Sequence, residues 1–452
     1  MRHTPAIFLS FALSLFVTTT AFANDADKLM ADGSAKFAHG DFTNAIADFS
    51  EAIKLEPKNA NAHLDRAIAR QNIGDIKGAI ADYSTVIEFK PKNADVYFNR
   101  GQLHAHAGEH NEAIADFSRV IELSPKMLDA YRNRALEETQ QHDWTGALAD
   151  ETKLIQLQPH EAAAFYGRAA VYELQGAMDD AIADYTRAIN LQPTAMTYQL
   201  RANAKQIKGD FDGALADLDE AIKKEPINPA AFVARGHLKE TRNDWKGAIA
   251  DFKTAIDLKP DYAPAYGDLG LMLHAVGDLQ AALNCLNKAI QINPRNTLAY
   301  ARRGCVYYSG HAFTNALTDF RIVAQLQPNW DFGHFYIWMA RTRLGEGKAA
   351  QLELNTYFKY RKGDTNDWNS KIGGFLVGRI SESDFLQAAK NPDSKTQSWQ
   401  MCSANFFAGC KRLYTKDQML ALTYFKKASA ATTEPDPERA MSMTEIKFLE
   451  AP

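Results

Sequence analysis

Nine prolines recur through this chain at a nearly constant step: Pro57, Pro91, Pro125, Pro159, Pro193, Pro226, Pro260, Pro294 and Pro328, spaced by 34 residues except for one interval of 33. A fixed period of that size marks an array in which one supersecondary unit is repeated. The same punctuation returns between successive prolines, first as Gly40, Ala45, Phe49, Ala52 and Pro57, then as Gly74, Ala79, Tyr83, Val86 and Pro91. In the third unit Tyr97, Gly101, His104 and Ala105 recur at helical spacing. A turn falls at Gly108-Glu109, and Ala113, Phe117 and Val120 begin a second apolar stripe. Each unit therefore reads as a helical hairpin. Its small residues let two helices approach, its aromatic fills the space between them, and its proline ends the second helix by lacking the N–H needed to continue it.

Stacked hairpins grow in one dimension, so the 452-residue length counts repeats rather than separate cores. Such a stack presents an elongated surface without an enclosed catalytic cleft. Hydrophobic residues make 46% of the chain and charged residues 23%, an ordinary composition for a folded soluble chain and not for a disordered or multi-span membrane protein. Lys and Arg number 51 against 55 Asp and Glu, so no general attraction to a phosphate backbone exists, and nucleic acid is not an expected partner. No nucleophile elbow, phosphate loop, HExxH or paired CxxC is present, so neither an enzyme nor a bound metal or cofactor is expected.

The small, small, aromatic, small, proline pattern of Gly101, Ala113, Phe117, Val120 and Pro125 resembles the tetratricopeptide repeat family. The resemblance implies an all-α, right-handed α-solenoid of tandem helix-turn-helix repeats, and the chain divides accordingly. Residues 24–328 hold nine repeats, residues 329–361 a degenerate tenth, residues 362–396 an irregular insertion with a helix start at Ser381, and residues 397–452 repeat-like capping helices. Two departures stand out: Glu151 replaces the aromatic of its hairpin, and Trp338 replaces a small first-helix residue.

Ahead of the repeats stand Arg2, an apolar run from Ala6 to Val17 and the small-x-small triplet Ala21-Phe22-Ala23, which predict a secretory signal peptide cleaved after Ala23. The run is shorter than the roughly 20 residues a spanning helix needs. The mature chain is thus expected to be exported, periplasmic or secreted, without a transmembrane segment. In an oxidising compartment Cys285 and Cys305, on neighbouring helices, are either a disulfide or buried thiols, while Cys402 and Cys410 lie too far apart along one helix to pair.

Two charged ladders run through the repeats. Arg66, Arg100, Arg134, Arg168, Arg201, Arg235 and Arg303 recur in first helices, and Asp82, Asp116, Asp150, Asp184, Asp217, Asp251 and Asp319 in second helices. They break together, where Leu269 and Cys285 stand instead, as expected of ion pairs formed within hairpins. The first hairpin has Asp48 and no arginine, so Asp48 is expected to reach Arg66 across the hairpin boundary. His104, His106 and His110 cluster in sequence, but their spacing points them in different directions, which favours packing and solvent exposure over metal binding.

The family's hairpin geometry places the first-helix face along a concave groove. On it the resemblance puts Leu64, Ile68, Gln71, Phe98, Gln102, Arg132, Leu136, Gln140, Tyr166, Gln199, Asn203, Val233 and His237. Apolar side chains alternate there with amides, which suits an extended peptide whose backbone bonds to Gln and Asn. The Lys and Asn set of the family's clamp for acidic C-terminal peptides is missing. The expected function is a non-enzymatic scaffold or adaptor of the bacterial cell envelope that holds other proteins, with self-association open. The alternative is an accessory of polysaccharide export or cell-wall remodelling, in which Tyr166, Phe98 and Tyr308 stack on glycan rings.

Overall fold

A computed structural model describes residues 25–362, 367–432 and 434–451, and among them all regular structure is α-helical. The expected signal peptide lies outside the described residues. No described helix is long and apolar enough to cross a membrane. Two compact units divide between Leu191 and Gln192.

The first unit is five hairpins: α1 Asp25–Ala38 with α2 Phe42–Leu55, α3 Ala60–Asn72 with α4 Ile76–Phe89, α5 Ala94–Ala107 with α6 His110–Leu123, α7 Leu128–Gln140 with α8 Trp144–Leu157, and α9 Ala162–Gln175 with α10 Met178–Leu191. The second unit continues with α11 Ala195–Lys208 and α12 Phe211–Lys224, α13 Pro229–Thr241 and α14 Trp245–Leu258, α15 Ala263–Ala275 and α16 Leu279–Ile292, α17 Thr297–Ser309 and α18 Phe313–Leu326, and α19 Asp331–Arg343 and α20 Gly347–Tyr360. Two short helices follow, α21 Trp368–Leu376 and α22 Glu382–Ala388, then the pair α23 Ser394–Tyr414 and α24 Gln418–Ala431, and finally α25 Pro437–Glu450.

Sequence sets these boundaries locally. First helices begin at asparagine caps such as Asn59, Asn93 and Asn228, whose side chains accept from backbone N–H groups of the opening turn. They end at residues in the left-handed region, Gly108 at φ 76° and Gly176 at φ 85° among them. An aspartate follows at once and caps the second helix, as Asp75, Asp143 and Asp244 do.

Packing within a hairpin follows the repeat pattern. A Cβ at Gly101 would stand 2.9 Å from the Phe117 ring, and one at Gly304 only 2.4 Å from the Phe320 ring, so glycine is what lets the aromatic lie on its neighbour helix. The tenth hairpin exchanges the sizes. Trp338 stands in the small position and Leu354 in the aromatic one, and both are buried, so the expected disturbance is absorbed by a reciprocal swap. The insertion is tied to this hairpin through Asp331, whose carboxylate accepts from Tyr357 Oη at 2.6 Å, Arg361 Nε at 2.7 Å and Asn369 Nδ2 at 3.0 Å. Ser381 caps α22 by accepting from the Asp384 N–H.

Candidate partner-binding face

Beneath the first-helix face the two charged ladders meet. Each of the seven arginines donates Nε and Nη2 to the two carboxylate oxygens of the aspartate sixteen residues on, for example Arg134 to Asp150 at 2.8 and 2.6 Å and Arg303 to Asp319 at 2.8 and 2.7 Å. The aspartates are buried and the fork is bidentate, the strong geometry for a guanidinium. For six of them the remaining Nη1 reaches the preceding hairpin's second helix. It donates to Ser50, Ser84, Ser118 and Thr152 from Arg66, Arg100, Arg134 and Arg168, and to Asp219 and Asn287 from Arg235 and Arg303. One side chain thus fastens two hairpins, and the oxygens it uses sit two residues after the preceding ladder position. Asp48 does not reach Arg66, contrary to expectation. Lys36 of its own hairpin, one turn beyond the ladder position, holds it. The same one-turn offset supplies Arg70 to Asp82, Lys205 to Asp217 and Lys239 to Asp251.

In hairpin four that offset carries Glu138 instead of a cation. Burial and the nearby Asp150 push its carboxyl up to about 7, and its Oε2 has no hydrogen-bond partner. Glu151 of the same hairpin is also pushed up to about 7, by burial where the other hairpins place an apolar side chain. Its Oε2 lies 2.6 Å from the position a Cβ on Gly167 would take.

Above the ladder, the first unit leaves an open face. Leu136 is 54% exposed and Tyr166 36%, and Gln102, Arg132 and Gln140 are exposed beside them. Leu64, Ile68 and Phe98 are half-buried, with the Phe98 ring 5.8 Å from that of Phe117. Gln71 accepts from Tyr83 Oη at 3.1 Å. At the start of this face a cavity of about 100 Å³ is lined by Ser34, Phe37, Phe49, Asp65 and Ile68, and burial raises the Asp65 carboxyl to about 6.

In the second unit the same register changes character. Asn203 is exposed and Gln199 is half-buried with its Nε2 unpartnered. Val233 is buried, packed in a cluster that includes Phe232, Leu269 and Met272, so it offers no surface to a partner. His237 Nε2 lies 3.2 Å from Asp268, its Nδ1 lies 3.4 Å from Glu240, and these bonds raise its pKa to about 9. Asp268 also accepts from Arg302 at 2.9 Å.

Further on the face is covered. Cys305 and Met339, at the register of Leu136, are 1% and 0% exposed, and Tyr308 is fully buried. Tyr308 therefore cannot stack on a sugar ring. The cover is the C-terminal module: Phe332 and Phe335 of α19 meet Phe407 of α23, and α25 packs on α15, α17, α23 and α24. Tyr336 Oη donates to Glu438 at 2.6 Å, Arg343 pairs with Glu445, and the Phe448 ring lies 4.3 Å from that of His311.

The TPR repeat family matches residues 33–74, 72–108 and 270–310, and tetratricopeptide repeat profiles match 94–127, 162–194 and 200–263, together about half of the chain. The chain is a tetratricopeptide-repeat protein. Solved structures similar to it include a tetratricopeptide repeat protein from Parabacteroides merdae, 21% identical over 55% of this chain and 99% of that one at TM-score 0.39. Yeast Tom70 is 15% identical over 94% and 95% at TM-score 0.38. YrrB, described as a TPR protein with an unusual peptide-binding site, is 22% identical over 40% and 95% at TM-score 0.34.

A tetratricopeptide-repeat protein is in general a scaffold for protein interaction, and the chemistry-bearing side chains here are absorbed by structure. His104 Nδ1 pairs with Glu109 and His110 Nδ1 with Glu137, both at 2.6 Å, so the histidines are turned apart. Among the described residues no group of three His, Cys, Asp or Glu converges as a metal-ligand set. All four cysteines of this repeat protein are free, and burial raises the Cys305 thiol far above its ordinary pKa. The hydroxyl, carboxyl and amide partners of Nη1 carry a sequence signal of their own, since a serine or threonine two residues after the ladder aspartate recurs through the first five hairpins.

Proposed function

We propose that this chain is a non-enzymatic adaptor of the bacterial cell envelope that holds an extended protein segment against the first-helix face of its first unit. One observation carries the reading. On successive first helices, four residues apart in register, Leu136 and Tyr166 remain exposed although the ladder pairs beside them, Arg134 with Asp150 and Arg168 with Asp184, are bonded. An exposed apolar and an exposed aromatic anchor on neighbouring first helices, with the amides of Gln102 and Gln140 exposed beside them, suit side chains entering shallow pockets while amides hold the backbone. Export is supported by the order of Arg2, the apolar run from Ala6 and the Ala21-Phe22-Ala23 triplet. The partner is a protein rather than a glycan, because of the three aromatics offered to sugar rings Tyr308 is buried and Phe98 is half-buried.

A photo-crosslinking residue at Leu136, in the full chain expressed with its leader, tests this against the same residue at exposed Glu122 on a second helix. Discrete crosslinked proteins at position 136 are expected, absent at position 122 and lost with Tyr166→Asp. Identical labelling at both positions would refute the binding face.

A further inference from the structure

The C-terminal helix does something that ending a stack does not require. Any helical pair with a polar outer surface would close the last repeat. Here α25 instead lies on α15 and α17 and bonds to α19, the first helices of hairpins eight, nine and ten. Those are the elements whose counterparts in hairpins three to five carry the open face. Cys305 on α17 and Met339 on α19 hold the register that Leu136 holds on α7, and both are covered by the module that ends in α25.

We propose that α25 is a bound ligand in cis: the face of α15, α17 and α19 is a docking site for an amphipathic helix bearing two carboxyl groups, and a helix of that chemistry from another protein displaces α25. The inference rests on the reading of first-helix faces as protein-binding surfaces, and names for this stretch the kind of partner.

The side chains of α25 define the recognition. Glu438 and Glu445 are seven residues apart, two turns on one helix face, and flank the fully buried Met441. Each acid meets a donor on α19, Tyr336 for Glu438 and Arg343 for Glu445. Between them Arg439 lies with its guanidinium 5.3 Å over the Trp245 ring. A receptor surface of one tyrosine, one arginine and one tryptophan ring, set around an apolar floor, fits a helix with acids at i and i+7 and a cation beside the first acid.

The interface is also built to open. Ser403 of α23, Ser442 of α25 and Arg439 Nε are buried without a hydrogen-bond partner. Glu438 sits beside Asp436 in a buried site that favours its neutral form. Each such group lost its water on docking without full replacement, which lowers the net stability of the contact. The arginine ladder is different, since both oxygens of each aspartate and all three arms of most guanidinium groups are bonded. The weak joint is the one made by α25.

The experiment uses the full chain and a fluorescent synthetic peptide of residues 434–451 as the probe. Native-state hydrogen exchange on the unmodified protein is expected to show α25 amides exchanging at least ten-fold faster than those of α17 and α19, through an opening that leaves the repeats folded. In the full-length variant Glu445→Lys, which sets a cation against Arg343, α25 is expected to be released. The probe should then bind at least ten-fold tighter than to the unmodified chain, while a probe carrying Glu438→Lys and Glu445→Lys should not bind. Equal protection of α25 and α17, or a folded Glu445→Lys protein that ignores the probe, overturns the proposal. A dimer of the variant formed by exchanging α25 overturns it in favour of a second copy as the occupant. Hydrogen exchange decides the matter even if Glu445→Lys does not fold. Crosslinking at Leu136 reads a different face, so the two proposals fail separately.

Discussion

Leu136 in hairpin four and Met339 in hairpin ten occupy the same register of a first helix, yet one is 54% exposed and the other 0%. The hairpins beneath them obey one rule of construction, so the difference is imposed from above. On the first helices of the first unit the face is exposed and mixed. Where α23 and α25 fold back, it becomes interior and carries a chain of packed rings, with Phe332, Phe335 and Phe407 in mutual contact and Phe406 against Phe407. A first helix is therefore neither groove nor core by its sequence position, and its exposed half is decided by what else the chain brings to it.

The strongest way to break this comparison is to make the same change on both sides of it. Met339→Asp puts a carboxylate into a closed apolar site and should cost roughly 4 kcal/mol or more in urea unfolding, whereas Leu136→Asp should cost less than about 0.5 kcal/mol. Similar losses would mean that the two registers are not equivalent. Next in size is the ladder that both regions share. Arg134→Ala should destabilise by about 3 kcal/mol because it leaves Asp150 buried and unpaired, while Arg132→Ala, two residues away on the exposed side, should be near neutral.

Hairpin four offers a gain rather than a loss. Glu151 has its carboxyl raised to about 7, so the folded state prefers it protonated and its penalty grows as pH rises from about 4.5 through 7. Glu151→Phe should then stabilise by about 2 kcal/mol at pH 8 and by clearly less at pH 5, as differential scanning at the two pH values would show. A gain independent of pH would assign the effect to ring packing alone.

The smallest effect is expected at His237. Its pKa is raised to about 9 by Asp268 and Glu240, so the stabilisation is fully present below about 6.5 and disappears as pH rises through 9. The side chain is 46% exposed, and solvent screening limits the contribution to about 1 kcal/mol. His237→Gln should lower the midpoint at pH 6 and leave it unchanged at pH 10.

Much of this was written in the sequence. The 34-residue period gave every hairpin, and the joint loss at Leu269 and Cys285 revealed that arginine and aspartate meet. The partner of Asp48 was misread because an ion pair needs a face and not a particular position, and Lys36 lies one turn along on that face. Val233 was placed on the surface by register alone, yet a short β-branched side chain sinks among its larger neighbours. The folding back of α25 had a signal that the repeat pattern concealed. Gly267 to Ala275 in α15 and Phe335 to Ala340 in α19 are apolar almost all the way round, and a helix without a polar face must be covered on every side. What covers it is a long-range matter that no period reports.

The third arm of each arginine has a mechanical meaning. Through Nη1 of Arg66, Arg100, Arg134 and Arg168 in the first unit, and of Arg235 and Arg303 in the second, a hairpin is riveted to the one before it, so each unit drawn out from one end should yield in discrete steps, one rivet at a time. Between hairpins seven and eight the rivet is absent, because Leu269 stands where the guanidinium would be, and the joint is bridged instead by Asp268 between His237 and Arg302. Under tension that seam should give way before the riveted joints on either side of it, those made by Arg235 and Arg303.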